Sequence, residues 1–137
     1  MRKTCWVLLV AVVVAFPLGC GHPRTMVALT VTPAVAGAIG VGVEIQFKAT
    51  GQFVNPSEFV DVTNQVAWAS LVPQVVTVNQ QGLATSGLGC GVSVITATAG
   101  EPLVGNVGVG AVVTGTASFT VADPSVTGCP QTIPTGQ

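Results

Sequence analysis

The chain has 137 residues, of which 49% are hydrophobic and only 7% charged, and its formal net charge is −1. That length fits one domain with tails, and the abundance of Val and Thr favours pleated strands over a helical bundle. No stretch is rich in basic residues, so the composition argues against binding to nucleic-acid phosphates.

The chain begins with the pattern of an export signal. Arg2 and Lys3 give a positive start, and the uncharged, largely apolar residues 5–16 follow. A run of this length suits the core of a signal peptide, whereas a membrane span needs about 20 apolar residues. We therefore expect the protein to be exported.

The end of this leader resembles the processing site of bacterial lipoproteins. Gly19 is the small residue that precedes Cys20, although Pro17 stands where such leaders usually carry an aliphatic residue. The resemblance implies a signal peptide over 1–19 and a lipidated Cys20 that opens a tether over 20–26. The alternatives are an ordinary secretory leader cut elsewhere or an uncleaved anchor. A lipid carrying more than one acyl chain is sufficient for stable attachment to a membrane.

Removal of the leader would leave an acidic chain. Two basic residues, Arg24 and Lys48, would stand against five carboxylates and give a formal charge of −3. The acidic residues are Glu44, Glu58, Asp61, Glu101 and Asp123. We expect no nucleic-acid partner; the expected partners are the membrane, through the N-terminal lipid, and a protein or envelope polymer.

The four cysteines separate by position. Cys5 lies in the leader and Cys20 is the lipidation candidate, which leaves Cys90 and Cys129. An even pair in an exported protein predicts a disulfide. Metal binding is the weaker alternative, because the sole histidine, His22, lies in the tether and two cysteines alone make a poor zinc site.

Short alternating segments between turn residues predict an all-β fold of about seven strands. The clearest is 43–50, where Val43, Ile45, Phe47 and Ala49 share one face and the polar residues share the other. In a later segment Trp68 would point inward as the core anchor. The expected strands lie near 27–32, 43–50, 64–70, 75–79, 82–85, 92–99 and 117–122.

The order of these segments resembles the bacterial immunoglobulin-like group 2 domain of intimin- and invasin-type surface proteins. The pieces that carry the resemblance are LTVTP at 29–33, FKATG at 47–51, DVT at 61–63, VAW at 66–68, VTVN at 76–79, GLAT at 82–85, ITAT at 95–98 and FTV at 119–121. The resemblance implies an immunoglobulin-like β-sandwich over 27–123 and an adhesive or structural role at the cell surface. It gives Thr63 and Gly82 turn roles and Trp68 a core role. The two cysteines and the long segment 100–115 depart from the family pattern.

The residue inventory argues against catalysis. The domain holds no histidine to activate a hydroxyl, and its five acids are scattered. Glu58, Asp61 and Asn64 lie close enough in sequence to suggest calcium, but such a site needs about 6–8 oxygens and a solvated loop is the simpler interpretation. Carbohydrate recognition lacks support, because the chain has no tyrosine and its two tryptophans are Trp6, in the leader, and Trp68, which we expect to be buried. We expect no catalytic residue, no cofactor and no metal.

Two segments leave alternatives open. The Gly- and Val-rich stretch 100–115 is either an exposed apolar loop or a β-hairpin that packs Leu103, Val107 and Val109 on the sandwich edge. The Pro-rich tail 124–137 is expected to be extended and mobile beyond Cys129. For function, the alternative to a surface module is a periplasm-facing subunit of a larger envelope complex.

Overall fold

The structure, a computed structural model, describes residues 24–100, 103–104 and 112–135. Within these ranges the regular elements are all β-strands. They are β1 (Thr25–Thr32), β2 (Val35–Ile39), β3 (Glu44–Gln46), β4 (Lys48–Val54), β5 (Glu58–Asp61), β6 (Ala67–Ser70), β7 (Val76–Val78), β8 (Leu83–Ser86), β9 (Gly91–Ala99) and β10 (Val113–Ala122). The described part of the chain holds no helix long and apolar enough to cross a bilayer.

The strands form three sheets, with the orders β1-β4-β5, β2-β10-β9-β6 and β3-β8-β7. Their pairings are antiparallel except for β2, which runs parallel to β10. β1 lies against β10, so the first two sheets face each other across the core. This arrangement confirms the all-β sandwich that the sequence predicts.

The core is built from alternating residues of facing strands. Along β9, Ile95, Ala97 and Ala99 are buried while the residues between them are partly exposed. Phe47 and Phe119 are fully buried, and their ring centroids lie 6.2 Å apart at a tilt of 51°. Tilted aromatic pairs of this kind add to the free energy gained from burial alone.

The described ranges hold ten strands against the seven expected: β2 and β5 are additional, and the clearest predicted strand is divided into β3 and β4. Residues 43–50 divide at Phe47, whose N–H donates to the Gly82 carbonyl oxygen at 2.8 Å. The chain thereby passes from the third sheet into the first. The assignment of Val43 to the inner face is wrong, because its side chain is 37% exposed.

The segment 51–63, which falls between two of the expected strands, contains regular structure of its own. β4 continues to Val54 and returns through β5 as a hairpin. Gly51 in β4 leaves room for the Met26 side chain, because a Cβ at residue 51 would lie only 2.6 Å from Cε of Met26. Met26, placed by the sequence in the tether, is buried in the core because β1 already begins at Thr25.

The C-terminal segment is pinned to the sandwich at two places. The predicted disulfide joins Cys90 to Cys129, with Cα atoms 5.5 Å apart. Beyond it, the side chain of Ile133 lies so close to Gly37 that a Cβ on this glycine would come within 2.8 Å of the isoleucine Cβ. The described part of the tail therefore packs on β2, where the sequence predicts a free extended end.

Replacing both cysteines, Cys90→Ser with Cys129→Ser, should lower the free energy of unfolding by about 4 kcal/mol. The disulfide closes a loop with a sequence separation of 39 residues, and opening it restores that conformational entropy to the unfolded chain. Urea denaturation followed by circular dichroism measures the change. Reduction of the unmodified protein should give the same loss, and an unchanged midpoint in both samples would contradict the stabilising role.

Candidate functional site

The most connected polar group lies where β5 leads into β6. Oδ1 of Asp61 accepts hydrogen bonds from the Thr63 hydroxyl at 2.6 Å and from the Thr63 N–H at 3.0 Å. The same hydroxyl accepts from the Ala49 N–H at 3.0 Å, and the Thr63 carbonyl accepts from Nε1 of Trp68 at 2.8 Å. A turn residue thus ties β4 to the indole that fills the core.

Lys48 completes this network. Its Nζ lies 3.2 Å from Oδ2 of Asp61, with both side chains about half exposed. The hydrogen bonds from Thr63, first the hydroxyl and then the backbone N–H, hold the pKa of Asp61 at about 2, below its usual value of 3.8, and Lys48 adds to this shift. The carboxylate is therefore fixed in its charged form and is unsuited to accept or release a proton near neutral pH.

An open cleft of about 530 Å³ lies beside this network. The Gln46 side-chain amide connects residues of its lining, because it donates to the carbonyl oxygens of Phe47 and Gln81, each at 2.7 Å. The lining residues are Gln46, Phe47, Lys48, Asp61, Thr63, Asn64, Gln65 and Gln81. The one lysine and the one carboxylate in this lining are paired, so the cleft suits neutral polar contacts rather than acid–base chemistry.

A smaller cavity of about 260 Å³ lies where the described chain begins. Arg24 forms an ion pair with Glu58 and lies 4.9 Å from the ring centroid of Phe53. The cavity walls are otherwise mostly apolar, from Phe53, Val60, Val62 and Leu103 with Gln65. This cluster fixes the start of β1 on the β4–β5 hairpin.

The acidic residues that the sequence suggested as calcium ligands make other contacts in the structure. Glu58 pairs with Arg24, and Asp61 binds Thr63 and Lys48. Across the described ranges no three metal-ligating side chains come together. The acids of this loop serve as local structural ties.

The remaining predicted residues divide into three groups. Trp68 is 5% exposed and lies in the core, and Gly82 has a φ of +77° in the turn before β8, as the sequence predicts for both. Leu103 packs against the core. Cys20, with the leader and most of the tether, and the loop residues Val107 and Val109, lie outside the described residues.

Two buried serines have structural roles that the sequence does not reveal. The Ser86 hydroxyl donates to the Gly40 carbonyl at 2.8 Å and accepts from the Val43 N–H at 2.9 Å, which joins two loops. Oγ of Ser93 lies 2.9 Å from Oγ of Ser70. No motif marks these serines in the sequence, because each lies within a strand and its bonding partners are distant in the chain.

Comparison with known proteins gives one partial similarity. A stretch of 77 residues, 56% of this chain, is 43% identical to part of Ice-binding protein 1 of Shewanella frigidimarina (strain NCIMB 400). The chain spans only 8% of the length of that protein. No protein-family model matches the chain.

Asp61→Asn should lower stability at pH 7, because the amide keeps the shape of the carboxylate but loses the charge that strengthens its hydrogen bonds. The folded pKa lies below the unfolded one, so the contribution is full above about pH 4 and disappears as the pH falls through about 2. Urea denaturation at a series of pH values measures the difference between the two proteins.

In a Thr63→Val background, which removes the main hydrogen bond to the carboxylate, the effect of Asp61→Asn should shrink. An equal effect of Asp61→Asn at pH 7 and near pH 1 would show that the carboxylate charge does not stabilise this turn.

Proposed function

We propose that this protein is a non-catalytic lipoprotein of the cell envelope that carries a single immunoglobulin-like module, and that the module acts at the cell surface as a structural, adhesive or protein-binding element. The observation that carries the proposal is that the charged side chains of the described residues are mostly engaged in local ion pairs and turn hydrogen bonds. Both described basic residues are in ion pairs, and three of the four described carboxylates are bound within turns or to those bases. Such a domain offers a rigid surface rather than a reactive group.

The disulfide supports export. Cross-links of this kind persist in oxidising compartments and are rare in the cytosol. Cys90 and Cys129 join the C-terminal segment to the start of β9, and thereby hold the end of the chain on the sandwich. A leader over 1–19 that is followed by Cys20, and a cross-linked domain after it, together support an anchored envelope module.

A periplasm-facing subunit of a larger complex is the alternative location for the same module. β5 is an edge strand of the first sheet and carries Phe59 with 73% of its surface exposed. An exposed strand edge accepts an added strand from a partner. The two locations differ in what a protease added outside the cell can reach.

Ice binding is a second candidate, and one feature of the second sheet favours it beyond the partial match. The outer face of β9 and β10 pairs Thr98 with Thr114 and Thr96 with Thr116. The neighbouring strand β6 adds two alanines in register. This threonine face (Thr96, Thr98, Thr114 and Thr116) carries no charge and repeats at about 4.8 Å across the strands and about 6.6 Å along them. Fixed hydroxyl and methyl groups in such an array can match a layer of ordered water.

The anchored module is tested by protease treatment of intact cells, together with mass spectrometry of the mature N-terminus. We expect loss of the domain from intact cells and an acyl-modified Cys20. Protection until the envelope is opened would instead support the periplasmic alternative. A Cys20→Ser variant should leave the membrane fraction, and an unmodified Cys20 in the native protein would overturn the lipid anchor.

Ice binding is tested by partitioning the purified protein between a slowly growing ice front and the remaining liquid. If the threonine face binds ice, the protein should enrich in the ice and Thr116→Lys should abolish the enrichment. Thr30→Lys, at an exposed position on β1, is the matched control. Exclusion of the native protein from the ice would eliminate this candidate while leaving the anchored module untouched.

A further inference from the structure

One end of the sandwich carries a cluster of exposed aliphatic side chains that the proposed function does not use. Val41 is 60% exposed and Leu88 is 92% exposed, in the loops before β3 and before β9. Together with their exposed apolar neighbours they form what we call the apolar tip, which comprises Ile39, Val41, Val43, Leu88, Val92 and Val126. Clusters of exposed apolar groups of this kind mark sites that meet another molecule or a membrane.

Backbone and side-chain hydrogen bonds hold the tip loops together. Ser86 bridges the loop of Gly40 to Val43 through its hydroxyl, and its carbonyl accepts from the Gly42 N–H at 2.9 Å. The Gly40 N–H donates to the Ala122 carbonyl at the end of β10. The disulfide fastens the third loop, which carries Val126, to the second. The apolar side chains are therefore presented by a fixed frame.

The tip lies at the far end of the sandwich from the start of the domain. β9 begins at Gly91 beside the tip and runs to Ala99, close to where the Met26 N–H bonds the Leu103 carbonyl. The strand length places these two ends about 26 Å apart. The tip is thus remote from Arg24, which precedes β1 and follows the predicted lipid site.

The chemistry of the tip distinguishes a lipid from a protein partner. A protein interface carries about one hydrogen bond per 100–200 Å² to fix its register, but the exposed large side chains here are all aliphatic. Several backbone N–H groups of the loops are already paired: those of Gly87 and Gly89 bond the Val75 and Gln74 carbonyls, and those of Gly40, Gly42 and Val43 are bonded as described above. Each backbone group that is paired in this way lowers the cost of bringing the loops into an apolar phase.

The charged residues around the apolar tip determine how deeply it could enter a bilayer and which lipids it would prefer. Residues 25–43, 87–92 and 124–130 contain no charged side chain, and the tip is flanked by Glu44 and Asp123. These carboxylates would remain at the level of the headgroups and would be repelled by anionic lipids. The charge pattern therefore fits the interface of a neutral, zwitterionic bilayer.

We propose that the apolar tip inserts into the interfacial region of a zwitterionic lipid bilayer. The insertion is shallow, because only side chains of the tip loops enter the acyl region. It requires no lipid on Cys20, so it stands or fails separately from the proposed anchor. In an anchored protein, the two lipid contacts would lie at opposite ends of one rigid module.

The test uses the full chain with a reporter at the tip. Leu88→Trp is compared with Phe59→Trp, another exposed apolar position, on β5, after addition of phosphatidylcholine vesicles with brominated acyl chains. Because Trp68 and any leader tryptophan are common to both variants, the difference in quenching reports insertion at residue 88. We expect strong quenching for Leu88→Trp only, and an effect that persists when the salt concentration is raised.

A second substitution and a second measurement keep the test decisive. Val41→Asp in the Leu88→Trp protein should weaken the apparent vesicle affinity by about tenfold or more, with the denaturation midpoint unchanged because both positions are exposed. Equal quenching of the two reporter variants would overturn the proposal. So would sedimentation that shows a dimer which Leu88→Asp dissociates while vesicle quenching is absent, since the tip would then bind a second copy of the chain.

Discussion

At Phe47 the chain leaves the sheet β3-β8-β7 and enters β1-β4-β5, and the contacts of this residue hold both sheets to the core. Its N–H bonds the Gly82 carbonyl, and its ring packs against Phe119 of the second sheet. A Cβ at residue 82 would lie 2.7 Å from the Phe47 carbonyl oxygen and 3.0 Å from the Trp68 ring. The crossing therefore requires glycine in the turn before β8, and the buried indole depends on the same close approach.

The polar side chains reinforce this frame and leave the surfaces neutral. Asp61 and Thr63 fix the turn that positions Trp68, while Arg24 and Lys48 each neutralise a nearby carboxylate. With so few charges, and those used locally, the outer faces present threonine, alanine and aliphatic groups. The described surface therefore offers mainly apolar and neutral polar groups for contact.

Local sequence patterns predict much of this structure. The features that they do not predict depend on pairing between strands that are distant in the chain. Trp68, Gly82 and the pairing of Cys90 with Cys129 follow from alternation, turn chemistry and cysteine count. Alternation over 43–50 predicts which side chains face inward but does not predict which strand each residue will pair with, so the crossing at Phe47 was missed. β2 was missed because its alanines and glycine have low strand propensity and its order depends on pairing with the distant β10.

The parallel pairing of β2 with β10 has a mechanical consequence. Among the described strands, β2 comes early in the chain and β10 comes last, and five residue pairs align from Val35 with Ser118 to Ile39 with Ala122. A pull applied between the start of β2 and the end of β10 slides these strands past each other, so it loads all their hydrogen bonds at the same time instead of opening them one by one. The β2–β10 pair therefore resists such a pull by shear.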